Sequence, residues 1–211
     1  MEKKIKILAL FGKSASGKDT IQKWITTNFS ELTKGIVSCT TRPPREGERD
    51  GVAYHFLSNE DFAKKVLDGS MLEATSFREW LYGTSLDELD PNKINVGVFN
   101  LTGVECLLSD TRLEILPVWV YASDKTRLIR SLNREPNPDC AEICRRYQAD
   151  EKDFDEADDF DYAGWVNEDG EAHESNFYRF LQLRRILDEW NWADISNLEE
   201  RFFIYYDYPL I

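Results

Sequence analysis

The stretch IKILALFGKSASGKDT, residues 5–20, constrains this chain more than any other. Its first seven residues are apolar except for Lys6, the composition of a strand buried on both faces of a parallel sheet. The pattern Gly-x-x-x-x-Gly-Lys then runs from Gly12 to Lys18, and Ile21, Trp24, Ile25 and Phe29 follow at helical spacing. Strand, glycine loop and amphipathic helix in that order make a phosphate-binding loop. Glycines let successive backbone N–H groups turn inward around phosphate oxygens. The helix N-terminus adds its dipole, and the lysine reaches the β- and γ-phosphates. Gly12, Lys13, Ser14, Ala15, Ser16, Gly17, Lys18, Asp19 and Thr20 are therefore the expected triphosphate site. The residue after the lysine is normally a hydroxyl that binds Mg2+, but here it is Asp19. Asp19 as the metal ligand, Thr20 as a neighbouring hydroxyl donor, and a loop that binds weakly all stay open at this point.

The rest of the chain alternates strand and helix patterns. GIVSC, VAYHF, LEATSF, WLYGT, NVGVFN and LEILPVWVYA read as strands, while EDFAKKVLDG, TGVECLLSD, SDKTRLIRSLNRE and NFYRFLQLRRILDEW read as helices. At 211 residues this is one α/β domain, a parallel sheet flanked by helices, with room for a small subdomain. The formal net charge of −13 argues against general binding of nucleic acid or an anionic membrane. No apolar run reaches membrane-spanning length, and the basic start MEKKIK leads into a strand rather than a signal peptide. Cys39, Cys106, Cys140 and Cys144 show no C-x-x-C spacing, which fits reduced thiols and a cytoplasmic location. The run DEKDFDEADDFD reads as a solvated helix or loop. The tail from Trp190 to Ile211 is rich in aromatics, the pattern of a strap on the body or, if exposed, of a homodimer contact.

A second cluster lies in VSCTTRPPREGERDGVAYHF. Arg42 and Arg45 stand three apart in a proline-stiffened loop, with Ser38 before them and Tyr54 after. Two guanidinium forks with hydroxyls suit multidentate binding of a phosphate dianion. Surface arginines paired with Glu46, Glu48 and Asp50 are the plainer alternative. This stretch resembles the GMP-binding signature of guanylate kinases, V-S-x-T-T-R-x-x-R-x-G-E-x-x-G-x-x-Y-x-F, and the resemblance extends over residues 5–190. It implies transfer of the γ-phosphoryl of ATP to GMP or dGMP with Mg2+. The parts it implies are a core over 1–34, 93–133 and 162–190, a GMP-binding subdomain over 35–92 and a lid over 134–161. It further implies that Ser38, Arg42, Arg45, Tyr54 and Tyr82 bind the GMP phosphate. Glu73 and Thr84 would read the guanine, with Asn100 bonding base or ribose. Lys18, Arg42, Arg134 and Arg146 would stabilise the transferring phosphoryl.

The chain departs from that family in two places. NVGVFN carries Val98 and Asn100 where the family has the acids of L-D-I-D, so a carboxylate is missing from the strand and one is gained at Asp19. From Tyr162 onward only Asn167 fits the family pattern. Two other readings stand behind the leading one: a kinase for another phosphorylated acceptor, and a protein-binding module without catalysis. The intact Gly12, Gly17 and Lys18 weigh against the module.

Overall fold

Every residue from Ile7 to Phe11 is buried, as a strand covered on both faces requires. This strand, β1 (Ile5–Phe11), is the middle of a five-stranded sheet in the computed structural model, which describes residues 4–45, 47–77, 79–154, 161–169 and 176–189. β7 (Ile94–Val98) and β8 (Leu113–Tyr121) flank it, β2 (Thr33–Gly35) lies beyond β7, and β9 (Ala163–Val166) lies beyond β8. All four pairings are parallel. The chain runs to one side of β1 first and the other side later. The carboxyl end of β1 is therefore a topological switch point, where open α/β sheets bind ligands.

The strand's two-residue period divides its side chains between two cores. Leu8 and Leu10 pack with Ile21, Trp24 and Ile25 of α1 (Lys18–Asn28), with Ala163 and Trp165 of β9, and with Leu183, Ile186 and Leu187 of α6 (Asn176–Glu189). Ile7, Ala9 and Phe11 pack on the other face with Val104 and Leu107 of α3 (Leu101–Ser109). Phe11 also sits in an aromatic group with Trp119, Phe154 and Tyr162.

A second, mixed sheet has the order β4-β3-β6-β5. Its strands are β3 (Cys39–Thr40), β4 (His55–Phe56), β5 (Met71–Phe77) and β6 (Trp80–Ser85), with α2 (Asn59–Leu67) packed on it. GIVSC is not one strand. The chain leaves the first sheet at Gly35, inserts Ile36 into the core and enters the second sheet at Cys39. α3 touches both sheets, joining them beside the switch point. After β8 come α4 (Asp124–Asn133), capped where Ser123 accepts the Thr126 N–H, and α5 (Cys140–Phe154). Among the described residues no helix is long and apolar enough to cross a membrane. The aromatic tail, 190–211, and with it the homodimer contact expected there, lies outside the described residues.

Candidate functional site

The loop after β1 takes the shape its glycines allow. Gly12 has φ 146° and a side chain there would meet the Val120 carbonyl oxygen at 2.4 Å; Gly17 has φ 93° and a side chain there would meet Asn167 Nδ2 at 2.2 Å. Ala15 also adopts a left-handed φ of 59°. The loop's carbonyls are held from outside. Arg127 Nε donates to Ser14 O at 2.9 Å, Arg130 Nη1 to Ser16 O at 3.2 Å, and Asn167 Nδ2 to Ser16 O at 2.7 Å. The Ser14 and Ser16 carbonyls, held by these donors, do not oppose an anion over the loop, although the Ser14 N–H is itself taken by Asp150 at 2.8 Å. Lys18 Nζ folds back onto the Gly12 and Lys13 carbonyls at 2.7 and 3.0 Å. Burial pushes its pKa down to about 8, against the pull of Asp19 and Asp150. Ser16 Oγ is buried in the loop without a hydrogen-bond partner. Asp19 and Thr20 are exposed in the first turn of α1.

A cleft of about 540 Å³ opens over the loop. Lys18, Asp19, Thr20, Arg45, Arg130, Arg134 and Arg146 line it, with Glu142 between the arginines. Five cations face this cleft together with the carboxylates of Asp19, Glu135, Asp139 and Glu142, a near-balanced lining in an otherwise acidic chain. Glu142 accepts from Arg145 and Arg146, whose hydrogen bonds hold its carboxyl down at about 2. Of the four expected catalytic cations, Lys18, Arg134 and Arg146 share this cleft and Arg42 does not line it. Arg42 is 5% exposed, its Nη2 bonded to both Glu48 carboxylate oxygens at 2.9 Å. Its guanidinium lies 5.5 Å from the Tyr54 ring centre, and Tyr54 and Tyr82 stand edge to face at 6.0 Å. The Arg45 N–H also donates to Glu48, at 2.7 Å, while the Arg45 side chain lines the cleft. Ser38, half-buried just before β3, accepts the His55 N–H on its carbonyl.

Glu73 and Thr84 face each other across the β5–β6 ladder. Burial raises the Glu73 pKa and the nearby Thr84 hydroxyl opposes that shift. Thr84 Oγ1 is fully buried and makes no hydrogen bond of good geometry. Asn100 caps α3, its Oδ1 accepting the Gly103 N–H at 2.8 Å, and a side chain at Gly103 would meet Glu73 Oε2 at 3.5 Å. Glu73, Thr84 and Asn100 thus gather where the second sheet meets α3. Burial and then the Asp19 carboxylate raise the Tyr54 pKa.

A model of the family described as guanylate kinase matches residues 4–181. The chain belongs to the guanylate kinase family. It is 31% identical over 160 residues to a guanylate kinase of Campylobacter jejuni (strain RM1221), covering 74% of this chain and 78% of the relative. A guanylate kinase of Chlorobaculum tepidum is 31% identical over 168 residues, covering 78% and 85%. The crystal structure of a guanylate kinase from Anaplasma phagocytophilum superposes with a TM-score of 0.58 at 22% identity, covering 89% of this chain and 96% of that one, and shows the same fold. This guanylate kinase family member is thereby a nucleotide-binding phosphotransferase.

Several site residues of this guanylate kinase family member escape the sequence reading. Arg127 and Arg130 are missed, although their i, i+3 spacing in α4 places them on one face, and both bond the loop. Asp150 is read as part of a solvated acidic run, yet it accepts from Ser14 N at 2.8 Å and Ser14 Oγ at 3.0 Å and pairs with Arg127. A count of acids cannot separate the buried member of such a run from the wet ones. Glu48, named in the plainer alternative as an arginine partner, does hold Arg42 and the Arg45 backbone together, but Arg42 is buried rather than at the surface.

Proposed function

We propose that this protein transfers the γ-phosphoryl of ATP to GMP or dGMP, releasing ADP and GDP or dGDP. The observation that carries the reading is the pairing of two built sites: the phosphate loop with its five-cation cleft, and the Glu73–Thr84–Asn100 group beside the Arg42–Tyr54–Tyr82 group. Guanine offers an N1–H and a 2-amino group to a carboxylate and an O6 to a hydroxyl. Glu73 and the unsatisfied Thr84 hydroxyl match that edge, and a base without it leaves them unpaired. Ser38, Arg42, Arg45, Tyr54 and Tyr82 hold the acceptor phosphate, which stands between the second sheet and the cleft. Residues 35–92 act as the acceptor-binding part, and residues 134–161 as the lid that brings Arg134 and Arg146 to the transferring group.

The acceptor is already an anion, so no side chain needs to remove a proton from it. Positioning and charge stabilisation do the work. Lys18, Arg134 and Arg146 balance charge that spreads over the phosphoryl oxygens, and Arg45 aligns the acceptor from the same cleft. Mg2+ in this chemistry neutralises the phosphates and is held mainly by their oxygens and by water. Asp19 and Thr20, exposed at the start of α1, suit that limited share of the coordination shell. Among the described residues no group of three or more His, Cys, Asp or Glu could hold an ion unaided.

The test is ADP release with ATP, Mg2+ and each nucleoside monophosphate in turn. Activity with GMP and dGMP alone is expected. Equal activity with AMP would overturn the guanine reading, and ATP binding without turnover on any monophosphate would leave a binding module instead.

A further inference from the structure

We propose that Asp150 is a positioning residue that latches the arginine-bearing helix to the phosphate loop, so that loop shape and the placement of Arg146 are one event. The proposal rests on reading the cleft as a phosphoryl-transfer site.

Ser14 is held through both of its backbone polar groups and its hydroxyl. Its N–H and hydroxyl donate to Asp150, and its carbonyl accepts from Arg127. Arg127 and Asp150 pair with each other, their side chains 1% and 13% exposed. Arg127 is fixed further by Asp124 at 2.7 Å and by the Tyr147 ring, 4.4 Å below its guanidinium. One residue along on each partner, Lys13 pairs with Glu151 at 2.6 Å. Two consecutive loop residues are thus tied to two consecutive residues of α5.

The position of these ties along α5 gives them their consequence. Arg146, Asp150 and Phe154 are spaced four apart and lie on one face. Phe154 is seated against Phe11 and Trp119, which anchors the helix end in the core. No residue of α5 is buried, so toward its other end the helix has no core to lean on. Asp150 is the polar tie one turn from the anchor, and Arg146 projects one turn beyond it into the cleft. Remove the tie, and between Phe154 and Arg146 the helix keeps only the exposed Lys13–Glu151 pair and the contacts of Tyr147 with Arg127 and the Asp124 carbonyl, so Arg146 is held less closely to the loop. A displacement of about 1 Å at a charge that stabilises a transferring phosphoryl can cost on the order of a hundred-fold in rate.

A carboxylate this close to Lys18 works against anion binding unless it is neutralised, and the buried Arg127 partner supplies that charge. The arrangement therefore makes little sense as charge tuning of the loop and good sense as a mechanical link.

The experiment is a double-mutant cycle with Asp150→Ala and Arg146→Ala, read as kcat and as KM for ATP and acceptor, with melting temperatures alongside. Asp150→Ala is expected to lower kcat by about ten-fold or more and to add less than about three-fold in the Arg146→Ala background, since both remove the same placed charge. Full additivity, or an unchanged kcat in folded Asp150→Ala, overturns the latch. Because a stranded Arg127 can unfold the single variant, Arg127→Met with Asp150→Leu is made as well, an apolar pair that keeps the volume without a lone buried charge. It is expected to fold and to show the same insensitivity to Arg146→Ala; retained sensitivity overturns the proposal. Amide exchange at Ser14 in the wild type and in this pair, followed without any acceptor, separates the two levels. Faster exchange in the pair supports the latch whichever monophosphate proves to be the substrate, and equal exchange overturns it.

Discussion

Asp19 is the residue at which this chain differs most visibly from a standard phosphate loop, and its surroundings give the difference a meaning. It is exposed at the start of α1, lines the five-cation cleft and stands near enough to Tyr54 to affect its titration. In the proposed reaction a carboxylate there would take over a share of metal binding, with the uncharged Val98 and Asn100 standing where the resemblance leads one to expect acids. Asp19→Ala should therefore raise the Mg2+ concentration needed for half-maximal activity several-fold, with kcat at saturating Mg2+ changed far less. An unchanged Mg2+ titration would refute the exchange of carboxylates. Lys18 makes a pH prediction. Burial lowers its pKa to about 8, so the cation that phosphates attract is nearly complete at pH 7, about half present at pH 8 and largely lost by about pH 9. ATP affinity should hold from pH 6 to 7.5 and fall as pH rises past 8, by at most about ten-fold per unit. Lys18→Met should bind weakly with a flat profile, measured by titration with a fluorescent ATP analogue. Arg45 reaches the cleft from the acceptor side, so Arg45→Ala should raise KM for GMP far more than KM for ATP. Equal effects in initial-rate kinetics would contradict its assignment.

At the scale of elements, α3 shows structure and site sharing a residue. Asn100 closes the helix by accepting the Gly103 N–H and stands beside Glu73. Asn100→Ala should cost about 1 kcal/mol of stability and lower Tm by roughly 2–4 °C. Asn100→Asp should keep the cap and the Tm, and a melt of both variants checks this. Elements with a strong local period were legible in the sequence. β1, the glycine loop and α1 follow from an apolar run, two glycines and a helical stripe. β9 was not legible, because AGWV is four residues long and its assignment depends on pairing with β8, far away in the chain. The site divides in the same way. Arg42 and Tyr54 stand in the quoted signature, and Glu73 and Thr84 were named through the family resemblance it carries. Glu48 was named there as an arginine partner, whereas Arg127 and Asp150 act through each other and through the loop, and neither burial nor a partner 23 residues away is written in local sequence.

For the whole molecule, the two sheets differ in how they are held. β1 lies between two buried clusters and two parallel neighbours, whereas the second sheet has two strands of only two residues each. Regions with less burial open at lower free energy. Amides of β1, β7 and β8 should be the slowest to exchange in native-state hydrogen exchange, and those of β3, β4 and β6 should open well before global unfolding. A second sheet as protected as β1 would rule out the independent movement that acceptor binding in this reading requires.

The grip of Asn167 on the phosphate loop carries a consequence for how the molecule is made. Ser16 and Asn167 are 151 residues apart, yet one amide group fastens the loop's carbonyl, and Arg130 in turn donates to the Asn167 carbonyl. Chains emerge from the ribosome N-terminus first. The nucleotide-binding segment is therefore synthesised well before it is finished, because one of the residues that fix its shape leaves the ribosome 151 residues after Ser16. Nascent chains stalled before residue 167 has emerged should retain ATP less well than chains stalled after it, in a pull-down on immobilised ATP.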